Sequence, residues 1–210
     1  MTNFNLYLSS CVLLLTLSWR TSTGVPVPAL SAEKCASCSL LFKHLLLQIT
    51  ELLTKAENEE VLCYGIPSDK VRVNNKTETL LACAPTLTQN SGCIQRDSSF
   101  SESDCLRNIM KDLVHHEAII QSYIKASLRN PEKEVKLLMP VLGIIQDLRK
   151  NCSLMPNGEN DSTEEGAAHV WGNSTYENRL DMCKMMRGFH IRTITINRAM
   201  GYISSGDHKK

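Results

Sequence analysis

The chain has 210 residues, a formal net charge of +1 and only 5% aromatic residues. This near-neutral charge argues against a nucleic-acid partner, because binding to phosphate groups requires a clustered basic surface. The scarcity of aromatic residues, together with abundant Leu, Ile, Met, Lys and Glu, favours helices over a β-sandwich.

The first residues have the pattern of a secretory signal peptide. The apolar run from Leu6 to Leu17 is shorter than the ~20 residues that span a bilayer. Small residues at Ser22 and Gly24 suit a cleavage site. We therefore predict a signal peptide at 1–24, a single domain at 25–210 without a later membrane anchor, and a secreted, extracellular protein.

Cysteines and sequons agree with export. Of nine cysteines, Cys11 lies in the predicted signal peptide. An even number in an oxidising compartment predicts a disulfide framework. The eight cysteines of that framework are Cys35, Cys38, Cys63, Cys83, Cys93, Cys105, Cys152 and Cys183. Four sequons predict N-linked glycans at Asn75, Asn151, Asn160 and Asn173.

The first predicted helix covers about 35–57. Its apolar residues recur at spacings of three and four, which places them on one face; they include Phe42, Leu45, Ile49, Leu52 and Ala56. A long irregular stretch with Gly and Pro follows. The second helix begins near Ser101, where Ser101 and Asp104 resemble a capping box.

The third helix begins directly after the second, with Asn130 as N-cap and Pro131 at the first helical position. Pro140 predicts a kink within it. A second long gap precedes the last helix, at about 176–204. Its run Ile191–Ile196 is β-branched and could form a strand, but a longer helical pattern prevails. That pattern comprises Met182, Met186, Phe189, Ile196, Met200 and Ile203.

The lengths of the connections predict the topology. The tight link between the second and third helices makes them antiparallel, whereas two long links can each cross the length of a bundle. We predict an all-α, long-chain four-helix bundle in up-up-down-down order with two long crossover loops.

This topology suggests disulfide pairs. Cys63 follows the first helix and Cys183 lies in the first turns of the last helix, so both belong at the same end. Cys83 and Cys105 would join the crossover to the start of the second helix. Cys35 and Cys38 both begin the first helix, near Cys152 at the end of the third.

No pattern indicates catalysis, a metal or a cofactor. The C-x-x-C of Cys35 and Cys38 has no second copy and no βαβ context, which favours disulfides over a redox or zinc site. The stretch His115-His116-Glu117 lacks the second His of a zinc motif, since Ile120 stands in its place, so we interpret it as a solvated polar face. We predict that the protein is not an enzyme.

The outward face of the last helix has an unusual composition. It carries Ile191, Arg192, Thr195, Arg198 and Tyr202, flanked by Ile194. Exposed helix faces are usually polar, whereas aromatic residues and Arg among apolar neighbours are enriched at protein interfaces. We predict that this face binds a protein partner.

The run Phe189–Tyr202 resembles the last helix of the interleukin-12 alpha-subunit family. The similarity extends to Ala82-Cys83, to Cys105–Leu113 and to most cysteine positions. It implies a cytokine subunit that pairs with a receptor-like beta subunit and activates a two-chain class I receptor. JAK–STAT signalling, interferon-gamma induction and cell-mediated immunity would follow. It also implies that Arg198, with Arg192 and Thr195, docks in an acidic pocket of the partner.

The sequence departs from the family between Cys83 and Cys105, where one Cys-containing segment replaces two. Cys93 matches either the inter-subunit or the internal position, so the covalent link remains open. Parity favours internal pairing of all eight cysteines, as Cys38–Cys93 and Cys35–Cys152 beside Cys63–Cys183 and Cys83–Cys105. The alternatives are a single-chain four-helix cytokine and a saposin-like lipid-binding protein, the latter suggested by Cys35 and Cys38 opening an amphipathic helix.

Overall fold

The computed structural model describes residues 32–73, 79–83, 87–88, 95–96, 100–152 and 170–205. The helices in these ranges are α1 (Ala32–Asn58), α2 (Thr79–Ala82), α3 (Glu102–Ile124), α4 (Pro131–Asn151) and α5 (Thr175–Ser205). Two short strands, β1 (Leu87–Thr88) and β2 (Gln95–Arg96), pair antiparallel between α2 and α3. Apart from that pairing the described residues form helices and their connections, which confirms the all-α class. The predicted signal peptide lies outside the described residues.

The first helix buries the predicted stripe. Its five predicted core residues are at most 2% exposed, and this side packs on α4 and α5. The segment Glu33–Asn58 is nevertheless long and apolar enough, by length and composition alone, to cross a membrane. The prediction that no stretch after the signal peptide is long and apolar enough to cross a membrane is therefore wrong. The reason is that leucines also lie on the outer side of α1, where Leu40 and Leu47 are 64% and 65% exposed.

Both predicted N-caps are present. The Ser101 hydroxyl accepts a hydrogen bond from the backbone N–H of Asp104 at 3.2 Å. The Asn130 side chain likewise accepts from the N–H of Lys133 at 3.3 Å, and Pro131 follows as the first residue of α4. Side-chain caps satisfy backbone donors that have no partner within the helix, so local chemistry fixes where α3 and α4 begin.

A buried contact closes the corner between α3 and α4. The Tyr123 hydroxyl donates to the Glu134 carboxylate at 2.5 Å, and the backbone N–H of Asn130 donates to the same carboxylate at 2.9 Å. Burial raises the pKa of Tyr123 above its usual range, and the hydrogen bond to Glu134 adds to this. The helix α4 runs without interruption through Pro140, and the kink there remains a prediction.

The last helix is continuous from Thr175 to Ser205, so the β-branched run Ile191–Ile196 is helical. All six residues of its predicted core pattern are buried. The surrounding helices explain this: α1 packs on α4 and α5, and α3 also packs on α4 and α5. Tertiary burial of one face outweighs the weak β preference of the individual residues.

Among the described residues, three disulfides join the ends of these elements. Cys63–Cys183 has a Cα–Cα distance of 5.3 Å and Cys83–Cys105 one of 4.6 Å; both pairs are the predicted ones. The third is Cys38–Cys152, with a Cα–Cα distance of 5.7 Å.

The pairings Cys38–Cys93 and Cys35–Cys152 are therefore wrong. Cys38 precedes Phe42 by four residues and lies on the same core face, where it is 0% exposed. Cys35 lies about 60° around the helix from it and is only half-buried. Cys93 lies outside the described residues.

Candidate partner-binding face on the last helix

The structure keeps four of the five predicted face residues together on the outer side of α5. Arg198 is exposed and Ile191 is 46% exposed, while Thr195 and Tyr202 are half-buried beside them. Ile194, the flanking residue, is also half-buried. Successive residues of a helix are rotated by about 100°, which brings residues 191, 195, 198 and 202 to one side. We name these four residues the partner face.

Arg198 is the only cation of this partner face. Among the described residues, no carboxylate forms a salt bridge with it. Its guanidinium can therefore offer a planar set of donors to a carboxylate on another molecule.

Phe100, a residue that sequence reasoning missed, extends the partner face at its Tyr202 end. The ring of Phe100 meets the ring of Tyr202 edge to face, with centroids 5.4 Å apart and planes at 81°. Phe100 immediately precedes the N-cap Ser101, a position where apolar residues often pack on the helix that follows. That local signal exists in the sequence, but nothing in it indicates contact with α5.

Arg192 does not belong to the partner face. It is 3% exposed, and its Nε atom lies 3.4 Å from the carboxylate of Asp112, which is 0% exposed. The prediction that Arg192 lies on the outward face is therefore wrong. The buried arc of α5 is wider than the predicted stripe, because α3 covers the side that carries Met185, Arg192 and Ala199.

The buried pair belongs to a larger polar network. The Thr79 hydroxyl of α2 donates to Asp112 at 2.5 Å. His116, one turn further along α3, donates from Nδ1 to the Asp112 carbonyl at 2.7 Å and stacks on Phe189 with ring centroids 3.8 Å apart. Burial lowers the pKa of His116 to about 3, and the charge of Arg192 contributes a smaller part of this shift.

The interpretation of His115-His116-Glu117 as a solvated polar face is also wrong. His116 and Glu117 are 5% and 7% exposed. Glu117 accepts hydrogen bonds from Gln121, Gln146 and Arg149, the last also forming a salt bridge. A buried carboxylate requires such partners. Within the described ranges, no group of three or more His, Cys, Asp or Glu residues could hold a metal ion.

Another buried arginine of α5 fixes the first crossover. Arg187 donates to the backbone carbonyls of Ile66 and Pro67 and to the Glu57 carboxylate. The chain then passes close over Gly188, where a Cβ atom would lie 1.9 Å from the carbonyl oxygen of Arg72. A side chain at Gly188 would therefore displace the crossover.

Two of the four predicted glycan sites fall on described residues. Asn151 is the last residue of α4 and Asn173 lies just before α5, and both are exposed. Asn75 and Asn160 lie outside the described residues.

Long helices linked by disulfides define a small, disulfide-bonded helical protein. The family model for the interleukin-12 alpha subunit matches residues 4–206. The chain therefore belongs to the interleukin-12 alpha-subunit family, whose members are cytokine subunits and not enzymes.

Individual relatives align with this chain over nearly the whole length of both sequences. The interleukin-12 subunit alpha of Cervus elaphus is 27% identical over 224 residues, which cover 95% of this chain and 96% of the relative. That of Capra hircus is 27% identical over 225 residues, with 96% and 97% covered. The human protein is 24% identical over 220 residues, with 95% and 96% covered.

Proposed function

We propose that this chain is the alpha subunit of a secreted heterodimeric cytokine. It pairs with a receptor-like beta subunit through the partner face, with Arg198 as the central contact. The heterodimer activates a two-chain class I cytokine receptor, JAK–STAT signalling, interferon-gamma induction and cell-mediated immunity. The observation that carries the proposal is an exposed arginine among Ile191, Thr195 and Tyr202 on the last helix of a member of this family.

The proposed bundle has the up-up-down-down order. Cys38 near the start of α1 is bonded to Cys152 after the end of α4, and Cys63 after α1 is bonded to Cys183 in the first turns of α5. These links support α1 running antiparallel to both helices. The short connection between α3 and α4 supports a second antiparallel pair.

Secretion rests on the signal-peptide pattern at 1–24 and on disulfides, which persist in oxidising compartments. We propose that all four sequons carry glycans and that all eight cysteines bond within the chain. With Cys38 bonded to Cys152, this arrangement requires Cys35–Cys93. Non-reducing electrophoresis of the pair tests it: a covalent heterodimer that disappears in Cys93→Ser would place Cys93 between the subunits instead.

The pairing experiment expresses the chain alone and together with an interleukin-12-type beta subunit, followed by sizing of the secreted product. We expect efficient secretion only as a heterodimer. A stable, active monomer would contradict the proposal and favour a single-chain cytokine, and co-purified lipid would favour the saposin-like alternative.

Substitution of Arg198 then locates the interface. Arg198→Ala should weaken beta-subunit binding by about 2 kcal/mol or more, because truncation of a buried interface anchor typically costs that much. Arg198→Glu should abolish pairing, and Lys150→Ala, at an exposed residue of α4, is the control. Wild-type pairing in both Arg198 variants would place the interface elsewhere.

A further inference from the structure

The short helix α2 presents two neighbouring leucines to solvent. Leu80 is 49% exposed and Leu81 is 74% exposed, whereas Thr79 before them is 0% exposed. A single exposed leucine is ordinary on a protein surface. Here two adjacent leucines are exposed on a helix whose other side is buried. The structural role of α2 in closing the crossover does not require them, because polar residues at these positions would serve that role equally well.

Both ends of α2 are anchored to the bundle. Thr79 donates to buried Asp112, which pairs with Arg192 of α5. Cys83, just after α2, is bonded to Cys105 of α3. Four residues are too few to form a stable helix alone, so these anchors hold α2 in place.

The contacts of α2 place it on α5, next to the side that adjoins the partner face. Thr195 follows Arg192 by three residues and so lies about 60° around α5 from it, between the buried arginine and the exposed side. At the other end, Cys83 is bonded to Cys105, which follows Phe100 by five residues, and the Phe100 ring contacts Tyr202 of α5. The helix α2 packs on both α3 and α5, and the contacts Thr79–Asp112 and Asp112–Arg192 place its start near Arg192.

We propose that Leu80 and Leu81 form the apolar part of the surface that binds the beta subunit. The proposal rests on the proposed function and extends the partner face from one helix to two. Exposed apolar side chains near an arginine and a tyrosine suit an interface, because its buried centre is more apolar than the rest of the surface and is enriched in Tyr and Arg. The buried Thr79–Asp112–Arg192 network then fixes the position of the leucines relative to Arg198, so Arg192 is a positioning residue.

The test is a competition for a limiting amount of beta subunit. Cells co-express differently tagged wild-type and variant alpha subunits, and the ratio of the tags is measured in the purified heterodimer. Leu81→Asp and Leu80→Asp should each reduce incorporation at least tenfold. The matched control is Leu47→Asp, since Leu47 is 65% exposed on α1 and should stay within twofold of wild type.

Comparison of the test variant Leu81→Asp with two controls, Arg198→Ala and Leu47→Asp, separates the possible failures. Reduced incorporation of Leu81→Asp and Arg198→Ala but not Leu47→Asp supports the proposal. A loss with Arg198→Ala alone overturns the role of α2 and leaves the proposed function intact, whereas no loss in either variant overturns both. Equal losses in Leu81→Asp and Leu47→Asp would show a general folding defect and also overturn it.

Discussion

Two arginines of α5, six residues apart, lie in opposite environments. Arg192 is 3% exposed and faces a buried carboxylate, whereas Arg198 is exposed on the outer side. The same side chain therefore stabilises the interior at one position and remains available to another molecule at the other. The comparison teaches that composition alone does not identify an interface residue, because a charged residue can be buried when a partner of opposite charge is supplied by a neighbouring helix.

The largest expected effect is on the inner arginine. Arg192→Ala should lower the free energy of unfolding by about 3–5 kcal/mol, because it leaves the carboxylate of Asp112 buried without its counter-ion. Urea unfolding of the isolated, refolded alpha subunit, followed by circular dichroism, measures the change without a contribution from subunit dissociation. An effect below about 0.5 kcal/mol together with weakened binding of the beta subunit would show that Arg192 belongs to the partner face.

A double substitution sharpens this assignment. Arg192→Met combined with Asp112→Asn removes both charges, while the amide oxygen can still accept the hydrogen bond of Thr79. Because a neutral pair carries no uncompensated charge, the double variant should recover a large part of the lost stability. A double variant that is less stable than Arg192→Ala would contradict the ion-pair explanation.

An intermediate effect concerns pH. The pKa of buried His116 is lowered to about 3. As the pH falls, His116 is therefore protonated in the unfolded chain at a higher pH than in the folded protein. Stability from this residue is complete above about pH 6.5 and is lost progressively toward pH 3. Between pH 7 and pH 5 the loss should be about 2 kcal/mol.

Replacement of His116 should reduce that dependence on pH. Unfolding of His116→Gln and of the wild type at pH 7 and pH 5 measures the difference, with His44→Gln as an exposed control. An unchanged slope in His116→Gln would assign the pH dependence to other groups.

The smallest expected effect on folding is at the outer arginine. Arg198→Ala should change the free energy of unfolding by less than about 0.5 kcal/mol, as exposed substitutions usually do. The urea titration used for Arg192→Ala provides the comparison. A loss of several kcal/mol would show that Arg198 has a structural partner and would remove it from the partner face.

Much of the fold was predictable because it depends on local chemistry. Ser101 and Asn130 cap α3 and α4 through their own side chains. The spacing of Phe42, Leu45 and Ile49 placed them on one face of α1, where each is at most 1% exposed. Such signals need only a few neighbouring residues, so they can be read without the tertiary structure.

The candidate site was predictable only in part. The spacing of Ile191, Thr195, Arg198 and Tyr202 placed them on one side of a helix, and the structure keeps them there. It could not indicate that α2, which carries Leu80 and Leu81, packs on α5, since α2 is too short to be recognised by periodicity and is held by contacts that are distant in sequence.

The sequence by itself determined the helices, their caps, the apolar stripes and the pairs Cys63–Cys183 and Cys83–Cys105. Only the tertiary structure decided that Arg192, His116 and Glu117 are buried and that Cys38 bonds to Cys152. The physical reason is that a helical pattern fixes the direction of a side chain relative to its own axis. Whether that direction meets water or a neighbouring helix depends on how wide an arc the other helices cover, and that follows only from their packing.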